Sequence, residues 1–262
     1  MKSTLDQIED IKNNGYSLDF SNVFNHAFEN YKKIALYAGL ILLVFSIIGV
    51  FLGGGIFAAI YGVQYLNEDF LKSLQNEQTT NSVLVVYSLA IALIAALFSP
   101  FTAGFLKMAH CADRDEEFNV STIFSYYTSR YFPQLFIAAL LISLTSGLIS
   151  VAFNLAGIIL VDTIIALAIT VFTSLTIPLI IFGNLNAIDA IKSSIVLVSK
   201  QPFTIILLLF VGGVGSAIGF IGCCIGIVFT IPITYSIKYA LYNAILNIEE
   251  DDTIDSIGSD SE

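Results

Sequence analysis

Apolar residues run almost without interruption over 34–62, 83–106, 134–154, 159–183, 203–222 and 224–246. Each run reaches the ~20 residues a helix needs to cross the hydrocarbon of a bilayer. The first is long enough to tilt or to continue beyond it. A polar stretch, NEDFLKSLQNEQTTN at 67–81, separates the first two runs, whereas the third joins the fourth, and the fifth the sixth, with scarcely a polar residue between. The pattern predicts an all-α, polytopic membrane protein of six transmembrane helices, its last two pairs forming tight hairpins.

A second, helical period precedes the odd-numbered runs. In DFSNVFNHAFENYKK (19–33) the apolar positions Phe20, Val23, Phe24, Ala27, Phe28 and Tyr31 recur at three- and four-residue spacing, with Asp19 or Ser17 placed to cap the start. In NVSTIFSYYTSRYFP (119–133) Val120, Ile123, Phe124, Tyr127 and Tyr131 fall at the same offsets. NAIDAIKSSIVLVSKQP (186–202) repeats them more loosely. These segments predict amphipathic helices at 19–33, 119–131 and 187–200 lying on the cytoplasmic surface. Each closes on a basic residue: Lys32 and Lys33, Arg130, and Lys200.

The even-numbered spans echo one another, with Pro100, Pro178 and Pro232 each predicted to kink a helix in its cytoplasmic half. An interfacial helix, a span going out and a kinked span returning would then occur three times, as parallel pseudo-repeats. Inverted repeats, the commoner mark of alternating access, are not visible.

Composition sharpens this picture. Of the 262 residues 56% are hydrophobic and 12% charged, with mean hydropathy +0.83. That is about half the charge of an ordinary soluble domain, which carries ~25%, so a water-soluble globule is excluded. A formal net charge of −10 argues against nucleic acid as a partner.

With the N-terminus inside, Lys2, Lys12, Lys32, Lys33, Lys107, Arg114, Arg130, Lys192, Lys200 and Lys238 lie on the cytoplasmic side, and only Lys72 lies outside. This positive-inside bias predicts both termini in the cytoplasm. Residues 1–18 read as a cytoplasmic segment without the apolar core or cleavage site of a signal peptide. Residues 19–248 are expected to form the membrane domain, and the acidic EEDDTIDSIGSDSE at 249–262 a solvated, disordered tail.

An F-x-x-V-F-x-x-A-F-x-x-Y-K-K segment at 20–33, A-I-D-A-I-K-S-S-I-x-L-V-x-K at 187–200, and a Gly-rich hairpin ending in I-P-I-x-x-x-x-x-Y-A-L-Y at 231–242 resemble a broad group of bacterial six-helix membrane proteins. That group is related to the membrane domain attached to some glycerophosphodiester phosphodiesterases. The resemblance spans about 17–246 and implies a fold and a bacterial cytoplasmic membrane. Only 14 residues follow Ile248, so no soluble catalytic domain is expected and phosphodiesterase activity is not implied.

Candidate chemistry is sparse. Gly49 and Gly53, Gly215 and Gly219, and Gly222 and Gly226 are GxxxG steps, read as close helix packing within the chain, with a homodimer seam as the alternative. Cys223 and Cys224 read as small residues in an apolar turn, and Cys111 as a reduced thiol; no cysteine spacing suggests zinc. HCADRDEE, with His110, Asp113, Asp115, Glu116 and Glu117, reads as a solvated loop in preference to a cation site. No metal or other cofactor is expected. Asp162 is the one acid near apolar depth, either at the outer interface or on a solute pathway. Lys32, Lys33, Arg130 and Lys200 are candidates for lipid phosphates, or simply set the depth of the spans that follow.

These observations point first to a non-enzymatic protein of a bacterial inner membrane, an accessory or scaffold touching lipid, another membrane protein or a second copy of itself. The alternative is a transporter or channel for a small or amphiphilic solute. A lipid-modifying enzyme would need polar residues clustered at one depth, which no stretch of the chain supplies.

Overall fold

A computed structural model describes residues 3–61, 81–222 and 226–246. Helix α1 (Thr4–Asn14) opens on a reciprocal cap. The Ser3 hydroxyl accepts from the Asp6 amide at 3.2 Å and the Asp6 carboxylate from the Ser3 amide at 3.0 Å. Helix α2 (Phe20–Tyr61) follows, its first turn capped by Asp19 Oδ1, which accepts from the Asn22 amide at 2.7 Å. Its 42 residues make a rod of about 63 Å, roughly twice the thickness of bilayer hydrocarbon. The segment at 19–33 is thus not a separate surface helix; it continues straight into the first span, because 20–61 contains no proline to break it.

Helix α3 (Asn81–Asp113) returns past Pro100. Proline there leaves the Ala96 carbonyl without its amide partner, and the neighbouring Ser99 hydroxyl donates to it at 2.8 Å. Tyr127 donates to the adjacent Leu97 carbonyl at 3.0 Å. The second surface segment, expected as a helix over 119–131, is helical only in α4 (Val120–Phe124), with turns to Tyr131. It seats its Ile123 backbone against Gly104, where a Cβ would collide with the Ile123 carbonyl.

Helix α5 (Phe132–Leu155), with Pro133 in its first turn, runs one way, and α6 (Ile159–Phe172) and α7 (Thr176–Ile181) run back. Helix α8 (Ala187–Lys200) coincides with the third expected surface segment and ends at Gln201, where Pro202 opens α9 (Pro202–Ile218). A 3₁₀ turn (Gly219–Gly222), α10 (Gly226–Thr230) and α11 (Pro232–Leu246) complete the chain.

Five stretches are long and apolar enough to cross a membrane: Phe20–Gly55, Val85–Asp113, Phe132–Leu155, Leu160–Ile181 and Pro202–Ile221. They fit a multi-pass membrane protein. The sixth expected run, 224–246, is divided at Ile231, and Cys223 and Cys224 lie outside the described residues. Most of the apolar surface of the five faces outward, as lipid requires.

The protein's packing is densest at one end, where α2 begins, α3 ends and α11 ends. There Ile34, Phe105, Leu106, Met108, Leu179, Leu197, Ile237 and Tyr239 are fully enclosed. Helix α11 lies along α2, α3 along α5, and α1 against α8. The three expected repeats differ in form, one approach being continuous with its span, one mostly turns and one a separate helix. Pro133 and Pro202 start new helices at the second and third junctions, and the first junction has none.

Candidate functional site

Two stripes of polar and small side chains face each other in the half of α5 and α6 nearest the turn between them. On α5, Ser143, Ser146, Gly147, Ser150 and Asn154 recur at three- and four-residue spacing and so share one face. On α6, Ala166 and Thr170 lie four and eight residues after Asp162. With Tyr87, Ser88 and Ile91 of α3 they line a groove of about 470 Å³, whose apolar walls are Ile91, Ile142, Val151 and Ile169.

Asp162, in the first turn of α6, bonds two of the lining residues. Its Oδ2 accepts from Ser150 Oγ at 2.9 Å and from Asn154 Nδ2 at 3.2 Å. Asn154 also donates to the Ser150 carbonyl at 2.9 Å, which fixes the amide. Deeper in, Ser88 donates to the Val85 carbonyl at 2.8 Å and Thr170 to the Ala166 carbonyl at 2.9 Å, each along its own helix. Ser143 and Ser146, between them, bond to no group among the described residues. The arrangement can hold a polar head among hydroxyls and a carboxylate while apolar walls take a hydrocarbon.

Behind the seam formed by Ile142 and Ile169 lies a second groove of about 620 Å³, lined by aliphatic and aromatic side chains of α5, α6 and α8 and by Thr145 and Thr173.

At the densely packed end a polar network ties three helices together. His26 of α2 meets Asp113 Oδ1 of α3 at 2.6 Å, and Tyr239 of α11 donates to Asp113 Oδ2 at 3.0 Å. His110 Nδ1 lies 3.2 Å from the same tyrosine oxygen. Asn30, buried, donates to the Ala109 carbonyl at 2.6 Å and accepts from the buried Ser236 hydroxyl at 2.9 Å. Asp115, in the left-handed region at φ 54° just beyond α3, holds Lys33 at 2.6 Å. Every member has a partner, which is the pattern of a clamp. Among the described residues no group of three histidines, cysteines or acids is placed to hold a metal ion, so HCADRDEE is not gathered into one.

The break between α6 and α7 is repaired from outside. Ser194 of α8 donates to the Phe172 carbonyl at 2.7 Å and accepts from the Leu175 amide at 3.2 Å. Ser174 and Thr176 beside it are buried with hydroxyls that bond to no group among the described residues. Tyr16, following α1, donates to the Leu197 carbonyl at 2.8 Å, and burial pushes its phenol pKa up.

The basic residues singled out in the sequence are engaged to different degrees. Lys32 pairs with Glu29 at 2.7 Å on the exposed surface, and Lys33 with Asp115 and the Ala112 carbonyl at 2.9 Å. Arg130 reaches Asn184 Oδ1 at 2.9 Å, an oxygen that Tyr131 also holds in a short hydrogen bond. Lys200 is exposed at the end of α8.

Three expectations about backbone residues need correction. Only Pro100 sits inside a helix. Pro178 lies in the first turn of α7 and Pro232 is the first residue of α11, where the fixed φ and missing N–H of proline suit a helix start. Gly49 and Gly53 do not pack against the described residues: a Cβ on either meets none of them within 4 Å. By contrast Gly215, Gly219 and Gly226 do pack, a Cβ on Gly226 meeting the Gly219 carbonyl at 2.5 Å and one on Gly215 meeting Ile233 at 3.3 Å. The Gly222 side of that step lies at the edge of the described residues.

The groove is the feature sequence reasoning missed. Its signal was present, since Ser143, Ser146, Ser150 and Asn154 follow a single helical face inside an apolar span. Their partner Asp162 is eight residues past Asn154 along the chain, across a turn that the apolar pattern does not locate. No described protein family, curated protein or solved structure matches this chain.

Proposed function

We propose that this is a non-enzymatic protein of a bacterial cytoplasmic membrane that takes an amphiphilic molecule from the bilayer into the groove between α3, α5 and α6, as a transporter or carrier of that molecule. The carrying observation is the convergence of seven hydroxyl and amide side chains, from three otherwise apolar helices, on one groove, two of them bonded to Asp162. Polar side chains inside membrane helices are costly and mark binding or conduction paths. Among the described residues the lining has no imidazole, thiol or amine to activate a hydroxyl, which favours binding over catalysis. The reading includes six spans, α10 and α11 together making the last, with both termini cytoplasmic and Lys32, Lys33, Arg130 and Lys200 near the lipid phosphates of that leaflet. The resemblance to bacterial six-helix membrane proteins is consistent with it. This groove favours a solute or lipid ligand over the accessory role.

Extraction of the full chain into native nanodiscs, followed by mass spectrometry, tests the reading. One retained amphiphile, lost when Ser143 and Ser146 are both replaced by leucine, is the expected result. A stoichiometric protein partner with no retained small molecule would instead make the chain an accessory subunit.

A further inference from the structure

We infer that the head group received by this groove is an ammonium carried on a hydrocarbon tail, an inference that rests on the groove being a ligand site. Among the described residues, the only ionisable side chains of its lining and their direct partners are Tyr87, a phenol, and Asp162, a carboxylate. Both neutral donors to Asp162 reach Oδ2, and Oδ1 accepts from no side chain among the described residues. No lysine, arginine or histidine occurs between Arg130 and Lys192, so neither α5 nor α6 supplies a counter-cation.

The rest of the lining offers acceptors. Ser88 and Thr170 spend their protons on their own helices, which leaves their oxygen lone pairs as what they present. Ser143 and Ser146, with no partner of their own, add two more oxygens on the same face of α5. An ammonium has three donors and no acceptor, which complements such a lining. A carboxylate or phosphate head is acceptor-only and would meet Asp162 as a like charge. An uncharged alcohol would fit without using the carboxylate's charge. Ile91, Ile142, Val151 and Ile169 supply the wall against which a tail lies. The same head chemistry belongs to a single-chain amine and to an aminophospholipid.

The test uses the full chain in phosphatidylcholine nanodiscs with dodecylamine, dodecanol and dodecanoate as probes of equal chain length. The amine is expected to bind at least about ten-fold tighter than the alcohol, the factor that one hydrogen bond to a charged group carries, and dodecanoate weakest. Asp162→Asn brings the amine down to the alcohol's affinity, while Asp162→Glu, which keeps the charge, retains the preference. Displacement of the amine by phosphatidylethanolamine doped into the disc makes the lipid the source, and its failure to displace makes the free amine the source; either supports the ammonium. Equal binding of amine and alcohol by the wild-type chain, with both abolished by leucine at Ser143 and Ser146, overturns the head-group assignment and leaves the groove as a site. Absence of binding by all three overturns both.

Discussion

Single hydroxyls hold this fold together where the backbone cannot. Ser194 closes the gap between α6 and α7 by serving the Phe172 carbonyl and the Leu175 amide at once. Leaving buried backbone groups unpaired costs ~1–3 kcal/mol, so Ser194→Ala should destabilise the protein by about 2 kcal/mol, read as a lowered melting temperature in detergent. Ser194→Thr, which restores the hydroxyl, should recover part of the loss. Asp113 plays a comparable part for α2, α3 and α11, through His26 at 2.6 Å and Tyr239 at 3.0 Å. His26 is about one-third exposed (33%), so solvent screens that pair. Asp113→Ala should cost about 1–2 kcal/mol, and hydrogen exchange should quicken first in the adjoining ends of α2 and α11. An unchanged exchange pattern would show that the clamp carries no stability.

At the scale of elements, close approach separates glycines that look alike in sequence. Gly219 lies where α9 turns toward α10, and a Cβ there would strike Ile227 backbone atoms at 2.5 Å. Gly49 and Gly53 carry the same GxxxG spacing on α2 yet meet nothing among the described residues. Overpacking costs ~1–3 kcal/mol, so Gly219→Val should lower the melting temperature of the purified protein while Gly49→Val leaves it unchanged. If both substitutions destabilise equally, α2 is packed against something other than the described residues. The apolar runs were readable in advance, but the expected surface helix at 19–33 is continuous with its span, since 20–61 holds no proline, whereas Pro133 and Pro202 start α5 and α9. The shortness of α4 was not readable. Val120, Ile123 and Phe124 keep a helical period to Tyr127 and Tyr131, but what ends the helix is contact: Tyr127 turns to the Leu97 carbonyl and Tyr131 to Asn184.

For the whole molecule, the distribution of charge sets an orientation that is open to test. Ten of the 11 basic residues fall at one side of the expected spans and Lys72 at the other. Protease added to intact spheroplasts should cut within 62–80 and spare tags at both termini; cleavage of a terminal tag would reverse the topology. Hydropathy and charge were therefore enough to determine a multi-pass helical protein, because a bilayer demands ~20 apolar residues per crossing and each residue meets that demand locally. Tertiary structure alone decided which polar residues meet. Ser143, Ser146, Ser150 and Asn154 need α6 folded back beside α5 before Asp162 can accept from two of them, and Asn30 needs α11 before it can pair with Ser236, 206 residues away. Solvation by lipid is a property of each residue in turn, and so is written along the chain. Pairing of polar groups depends on how helices rotate against one another, which is settled only when their surfaces pack.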